Sequence, residues 1–197
     1  MSLRILLAVG AGMGLGYFFL PASINTSMDL IIDIGLMLLL FFVGMDIGKH
    51  KDVLDKLKKL GFKVLLVPLV IIVGSVLGGM VAGPFIGLPY NEAGAIGSGL
   101  GWYTLSSMML TTYSTELSAL AFLSNVIREI LALITIPLIA KYIGFFEAIA
   151  PAAATAMDTC LPVISSSTDS ETTIVAFITG VICTMAVPII LPIIINL

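Results

Sequence analysis

Arg128 and Glu129 stand side by side in the middle of an apolar run, residues 116–140. A charged side chain at the centre of a bilayer costs roughly 2.5–3.5 kcal/mol on insertion scales, so both need a reason to be there. Adjacent helical residues point ~100° apart, so the two do not simply face each other. Asn125 and Glu129 are four apart and share a helix face, while Asn125 and Arg128 are three apart. That face is polar at membrane depth. One reading is structural, an ion pair tying this span to a neighbour. The functional reading is a site for a proton or a cation.

Five further acids call for an account. Asp29 and Asp33 are four apart in a second apolar run. Two carboxylates on one face repel each other unless they share a cation or a proton, and Asp33 is the deeper of the two. Asp158 sits between Met157 and Thr159 in a stretch broken by Pro151 and Pro162. It suits either a helix cap or contact with a substrate. Glu116 and Glu171 open apolar runs, where an acid complements the helix dipole, and Thr168 with Glu171 fits a capping box. Glu129, Asp33 and Asp158 then stand against Arg128, so a cationic substrate or ion would balance the cavity they share. Cys160, Cys183 and the single histidine, His50, match no metal spacing. The run 97–101 lacks the Gly-Lys-Ser/Thr of a phosphate loop. Gly44-Met45-Asp46 lacks the Gly-x-Gly-Asp of an intramembrane aspartyl protease.

The composition says where such residues must reside. Of 197 residues, 59% are hydrophobic and 11% charged, with a mean hydropathy of +1.16; a soluble domain carries ~25% charged residues. A soluble globule needs more polar surface than this. The net charge of −3 and the 9 basic residues offer no nucleic-acid face. A cytosolic enzyme, a nucleic-acid binder and a disordered tail are excluded, and an integral membrane protein remains.

Apolar runs long enough to cross a bilayer cover residues 3–20, 28–45, 63–87, 116–140 and 172–196. A cleaved signal peptide is the alternative for the first, but its glycines resemble a packing face. Six of the nine basic residues lie in the loop 46–63. The positive-inside rule places that loop, and hence the N-terminus, in the cytoplasm; a lipid-binding amphipathic helix is the alternative reading. Residues 91–113 and 148–168 are interrupted by glycine, proline and hydroxyl residues, and such backbone survives at membrane depth only when buried or lining a cavity.

These two halves align without a gap at an offset of 55 residues: Glu116 on Glu171, Ala121 on Ala176, Phe122 on Phe177, Thr104 on Thr159 and Pro137 on Pro192. If each broken segment is re-entrant, the units 91–143 and 148–197 are inverted relative to each other, Lys141 is cytoplasmic and the C-terminus lies outside. The chain reads as one all-α polytopic membrane domain, 1–197. It has about five spanning helices and two re-entrant segments, with residues 1–90 supplying the first three spans. Inverted repeats with discontinuous helices are a hallmark of secondary transporters, whose sites lie where the interruptions meet. The competing reading is that the glycines only permit close helix packing.

Four motifs in order then resemble one family. Gly99-Leu100-Gly101-Trp102-Tyr103-Thr104-Leu105-Ser106-Ser107 resembles its Gly-Phe-Gly-Trp-Tyr-Ser-Leu-Ser-Gly. Ala121-Phe122-Leu123-Ser124-Asn125 with Arg128-Glu129 resembles its Ala-Phe-(Leu/Phe)-x-Asn with Arg-Glu. Ala154 to Val163 is similar to Ala-Thr-Ser-Met-Asp-x-x-Leu-Pro-Val, and Phe42-Val43-Gly44-Met45-Asp46 to Phe-Val-Gly-Ile-x. This is the LysO family of lysine exporters. Ser107 and Ala156 depart from its pattern.

The resemblance implies export of L-lysine and its analogues across the plasma or inner membrane, with an essential acid at Glu129. Longer members carry an extra N-terminal membrane portion, so a second copy or a small membrane subunit is expected to complete this chain. The expected substrate or ion site comprises Glu129, Asn125, Arg128, Asp158, Asp33, Thr159, Trp102, Tyr103, Ser106, Gly99 and Gly101. No cofactor or metal is expected, nor an enzymatic activity. The expected mechanism is alternating access, driven by proton antiport. Sodium coupling to another cationic amino acid, a channel, and a structural subunit are the rival readings.

Overall fold

The computed structural model describes residues 61–197, together with six helical positions before them, Ala11, Gly14, Ile34, Leu38, Phe41 and Met45. The expected spans 3–20 and 28–45, the loop lysines up to Lys59, and Asp29 and Asp33 lie outside the described residues. Among the described residues the fold is helical throughout, with no strand.

Three of the described helices are long and apolar enough to cross a membrane: α1 (Leu66–Ala82, prolonged by a 3-10 turn to Ile86), α4 (Thr115–Tyr142) and α6 (Ser170–Ile195). They match the runs 63–87, 116–140 and 172–196. Their outer faces carry large aliphatics such as Val70, Val81 and Ile189, each about two-thirds exposed, which is stable surface only against lipid. Between them lie α2 (Tyr90–Gly97) and α3 (Tyr103–Thr111), separated by an interruption at residues 98–102, and α5 (Leu161–Ser167), preceded by 3-10 turns at Glu147–Ile149 and Ala153–Met157. Six α-helices are thus described, three long and three short.

The long helices of the two halves begin alike. Ser114 caps α4, its Oγ accepting from the N–H of Glu116 and of Leu117. Asp169 caps α6, its Oδ1 accepting from Thr172 N–H at 2.8 Å. Ser114 and Asp169, like Leu117 and Thr172, are 55 residues apart. The capping box expected at Thr168–Glu171 is displaced by one residue. Thr168 instead ends α5, donating to Ile164 O at 2.7 Å, and the Asp169 carboxylate is the stronger acceptor for the orphan N–H groups.

The core is built from small side chains. Ala95, Ala121, Ala132, Ala148, Ala153, Ala156 and Ala176 are fully buried, and the helices close onto them. α2 lies so tightly on α1 that a Cβ at Gly79 would stand 2.5 Å from Ala93 O, and one at Gly97 2.6 Å from Ser75 O. The packing reading of the glycines therefore holds for Gly97, one residue before the chain breaks.

The second interruption differs from a simple pair of half-helices. The alanine-rich stretch from Ala152 is intrinsically helix-favouring, yet Ala153–Met157 form a 3-10 turn. Ala153 takes a left-handed φ of +49°, and the N–H of Ala154 bonds to Leu100 O at 3.0 Å instead of a carbonyl of its own segment. Leu100 is itself left-handed, at φ +51°. The two interruptions thus meet, each bent to present backbone to the other.

Candidate functional site

A cavity of about 320 Å³ lies where the interruptions meet. Gly101, Trp102, Tyr103 and Thr104 line it from the first, and Ala154, Thr155, Met157, Asp158 and Thr159 from the second. Glu129 of α4 and Thr184 of α6 complete the wall. The volume is at the low end for small-molecule sites. Its members pair across the 55-residue offset: Trp102 with Met157, Tyr103 with Asp158, Thr104 with Thr159, Glu129 with Thr184.

The acids are joined by one hydroxyl. Thr159 Oγ1 lies 2.5 Å from Glu129 Oε1 and 3.3 Å from Asp158 Oδ1. The backbone N–H of Thr159 donates to Asp158 Oδ1 at 2.6 Å. Tyr103 is braced by Phe122, their rings edge to face at 5.4 Å. Thr184 Oγ1 approaches Met157 Sδ at 3.8 Å.

Asn125 lies behind the wall and holds it. Its Oδ1 accepts from Gly101 N–H at 2.7 Å. Its Nδ2 donates to Ala121 O at 2.8 Å, with Ile96 O and Ser106 Oγ each at 3.4 Å. The amide satisfies backbone groups that the interruption would otherwise strand in a buried setting. Gly99 is required by this approach, since a Cβ there would lie 2.5 Å from Asn125 Nδ2. Gly101, at φ +99°, occupies a conformation that favours glycine.

Arg128 is not with this group. Its Nε donates to Pro151 O at 3.0 Å and its Nη2 to Ala150 O at 3.3 Å, while Nη1 bonds to Ser75 Oγ of α1. It borders a separate hollow of about 790 Å³ between α1 and α4. The guanidinium thus ties α4 to α1 and to the approach to the second interruption, through neutral acceptors, and its neighbour Glu129 turns to the cavity.

Of the expected site residues, Glu129, Asp158, Thr159, Trp102, Tyr103 and Gly101 line one cavity. Asn125, Ser106 and Gly99 form its backing, Arg128 lies apart, and Asp33 is outside the described residues. Thr104, Thr184, Met157, Thr155 and Ala154 were not expected there. The repeat held the signal for the first two, since Thr104 aligns with Thr159 and Thr184 with Glu129. Cys160 and Cys183 are buried free thiols, and no cluster suited to a metal occurs among the described residues.

The family model described as "Lysine exporter LysO" matches residues 6–195. The chain is 31% identical over 185 residues to the lysine exporter LysO of Escherichia coli K12, covering 93% of this chain and 60% of that protein. It is 34% identical over 161 residues to a Haemophilus influenzae protein provisionally named a lysine exporter, covering 79% of this chain and 80% of that one. The chain therefore spans about three-fifths of the length of the Escherichia coli relative. No solved structure matches it. With the match running through both interruptions and all three long helices, the chain belongs to the lysine exporter LysO family.

Proposed function

We propose that this chain is a secondary transporter that carries L-lysine out of the cell across the plasma or inner membrane by alternating access, in exchange for protons. The observation that carries the reading is the pair Glu129 and Asp158, joined by Thr159 in a cavity between two helix interruptions. Acids inside a membrane domain are expensive unless they meet a counter-charge, and an ε-ammonium or a proton supplies one. Family membership and the name of the Escherichia coli relative support lysine as that cation. The N-terminus of α3, which has no side-chain cap, opens on the cavity at Tyr103 and Thr104 and would take the substrate carboxylate. The paired cavity residues support two inverted units moving about one site. The lysine-rich loop 46–63 would face the cytoplasm and the C-terminus the outside.

The test is uptake of labelled lysine into proteoliposomes under imposed pH or sodium gradients. Uptake driven by a pH gradient, and lost in a folded Glu129→Gln protein, is the expected result. Uptake driven by sodium alone would replace the coupling ion. Ion currents without lysine uptake would favour a channel. Uptake only after a second membrane chain is added would make this chain one part of a complex.

A further inference from the structure

The bond pattern around Thr159 has a proton count. A threonine hydroxyl has one hydrogen to donate and lone pairs to accept. Its oxygen lies within reach of Glu129 Oε1, at 2.5 Å, and of Asp158 Oδ1, at 3.3 Å. Were both acids ionised, one hydrogen would face two acceptors, and one carboxylate oxygen would stand against an oxygen lone pair. A single added proton removes the conflict. Placed on Glu129, it is donated to Thr159 Oγ1, which frees the hydroxyl hydrogen for Asp158 Oδ1. That oxygen already accepts the Thr159 N–H at 2.6 Å, so two donors converge on Asp158, where the remaining negative charge belongs.

The surroundings leave this count undisturbed. Tyr103 lines the same cavity from the first interruption, and Cys160, next in sequence to Thr159, is a buried thiol that accepts from Thr155 Oγ1 at 3.2 Å. Thr184 faces the cavity from α6 as a neutral hydroxyl. Arg128, the adjacent residue on α4, is committed to Ser75, Pro151 and Ala150.

We infer that Thr159 is a proton bridge through which Glu129 and Asp158 share one proton, giving the pair a single negative charge when no substrate is bound. The inference deepens the proton-coupled reading above and rests on it for its use in transport. As the Glu129 proton passes to Thr159 Oγ1, the hydroxyl's own hydrogen passes to Asp158 Oδ1. One O–H bond breaks and one forms at each step, the hydroxyl is restored, and the charge of −1 moves from Asp158 to Glu129. The proton crosses between α4 and the second interruption without a side chain turning. An incoming ammonium that takes both carboxylates as partners displaces that one proton.

The experiment reads the proton first, without ligand. Infrared spectra of the purified full chain at neutral pH should show one protonated-carboxyl band from the pair. Glu129→Gln should abolish it and Thr159→Ser should leave it in place. Thr159→Val, which keeps the shape and removes the hydroxyl, should shift it upward as the acid loses its acceptor. Lysine binding should release close to one proton per lysine in the wild type and in Thr159→Ser, and less than half of one in Thr159→Val. pH-driven export should fall at least tenfold in Thr159→Val and be restored by Thr159→Ser. No protonated-carboxyl band in the wild type, or a band and proton release unchanged by Thr159→Val, would overturn the bridge. The expected bands in a protein that binds no lysine would uphold the bridge and sink the lysine reading instead.

Discussion

At the first interruption a side chain reaches in from α4: Asn125 takes up Gly101 N–H, and its Nδ2, bonded to Ala121 O of its own helix, also lies within 3.4 Å of Ile96 O and Ser106 Oγ. At the second, the position 55 residues on is Gly180 of α6, and what serves there is the absence of a side chain. A Cβ at Gly180 would lie 2.5 Å from Met157 N, 2.6 Å from Met157 Cβ and 2.9 Å from Ala154 O. The same scaffold position thus fixes one interruption by hydrogen bonds and the other by close approach. The contrast extends along both helices. Asn125, Arg128 and Glu129 of α4 correspond to Gly180, Cys183 and Thr184 of α6. α4 bolts its own interruption through Asn125, holds the carbonyls leading into the other through Arg128, and presents the acid between them. α6 supplies room and a hydroxyl. Across the 55-residue offset the polar side chains have gathered on α4.

Gly180→Ala attacks the comparison where it is sharpest. Two of the three clashing atoms are backbone, so relief requires the second interruption to move as a whole. Overpacking of this kind costs about 2–3 kcal/mol. The expected outcome is a clear fall in melting temperature in detergent and loss of lysine uptake. A protein of wild-type stability would show that close approach does not hold this segment.

Asn125→Ala tests the other side. It strands the buried Gly101 N–H and removes a donor from the carbonyls of Ala121 and Ile96, at a cost of about 2 kcal/mol. Asn125→Asp sharpens the point, since it keeps the acceptor for Gly101 and loses the donors. Chemical denaturation in mixed micelles should rank wild type above both variants, and hydrogen exchange of the 98–102 backbone should be faster in both than in wild type.

The smallest expected effect asks whether the two fixings are independent. Arg128→Lys weakens the hold on Pro151 and Ala150 but leaves the first interruption untouched. Because Ala154 N–H bonds to Leu100 O, the interruptions share a bond, and Asn125→Ala with Arg128→Lys should be non-additive by about 0.5–1 kcal/mol. Strict additivity in a double-mutant cycle would mean that each interruption is held alone.

Much of this arrangement was legible in the sequence, for identifiable reasons. Long apolar runs have few alternatives to spanning helices, and α4 and α6 begin within two residues of where the runs 116–140 and 172–196 do. Glycine and proline mark places where a helix cannot simply continue: the first break contains Gly99 and Gly101, and the second ends where α5 begins at Leu161, with Pro162 in its first turn. Contacts across the chain were not legible. The adjacency of Arg128 and Glu129 invites pairing, but a helix sends neighbours to different sides, and only the packing of α1 and the Ala150–Pro151 turn offered the guanidinium its acceptors. Asn125 shares a face with Glu129, yet the amide turns to the backbone because Gly101 N–H lies there unsatisfied. Gly97 and Gly99 look alike in sequence. One lets α1 approach and the other lets Asn125 approach, a difference set by which neighbour arrives.

Trp102 is the single tryptophan of the chain, and it stands on the cavity wall, 36% exposed. Every photon of indole emission from this chain therefore originates at one point, on the wall shared with the two carboxylates and immediately before α3. Displacement of water from that wall by an incoming solute would alter the polarity around the ring, so the protein carries a built-in optical reporter on the occupancy of its own cavity, with no label to add and no second fluorophore of the same kind to subtract.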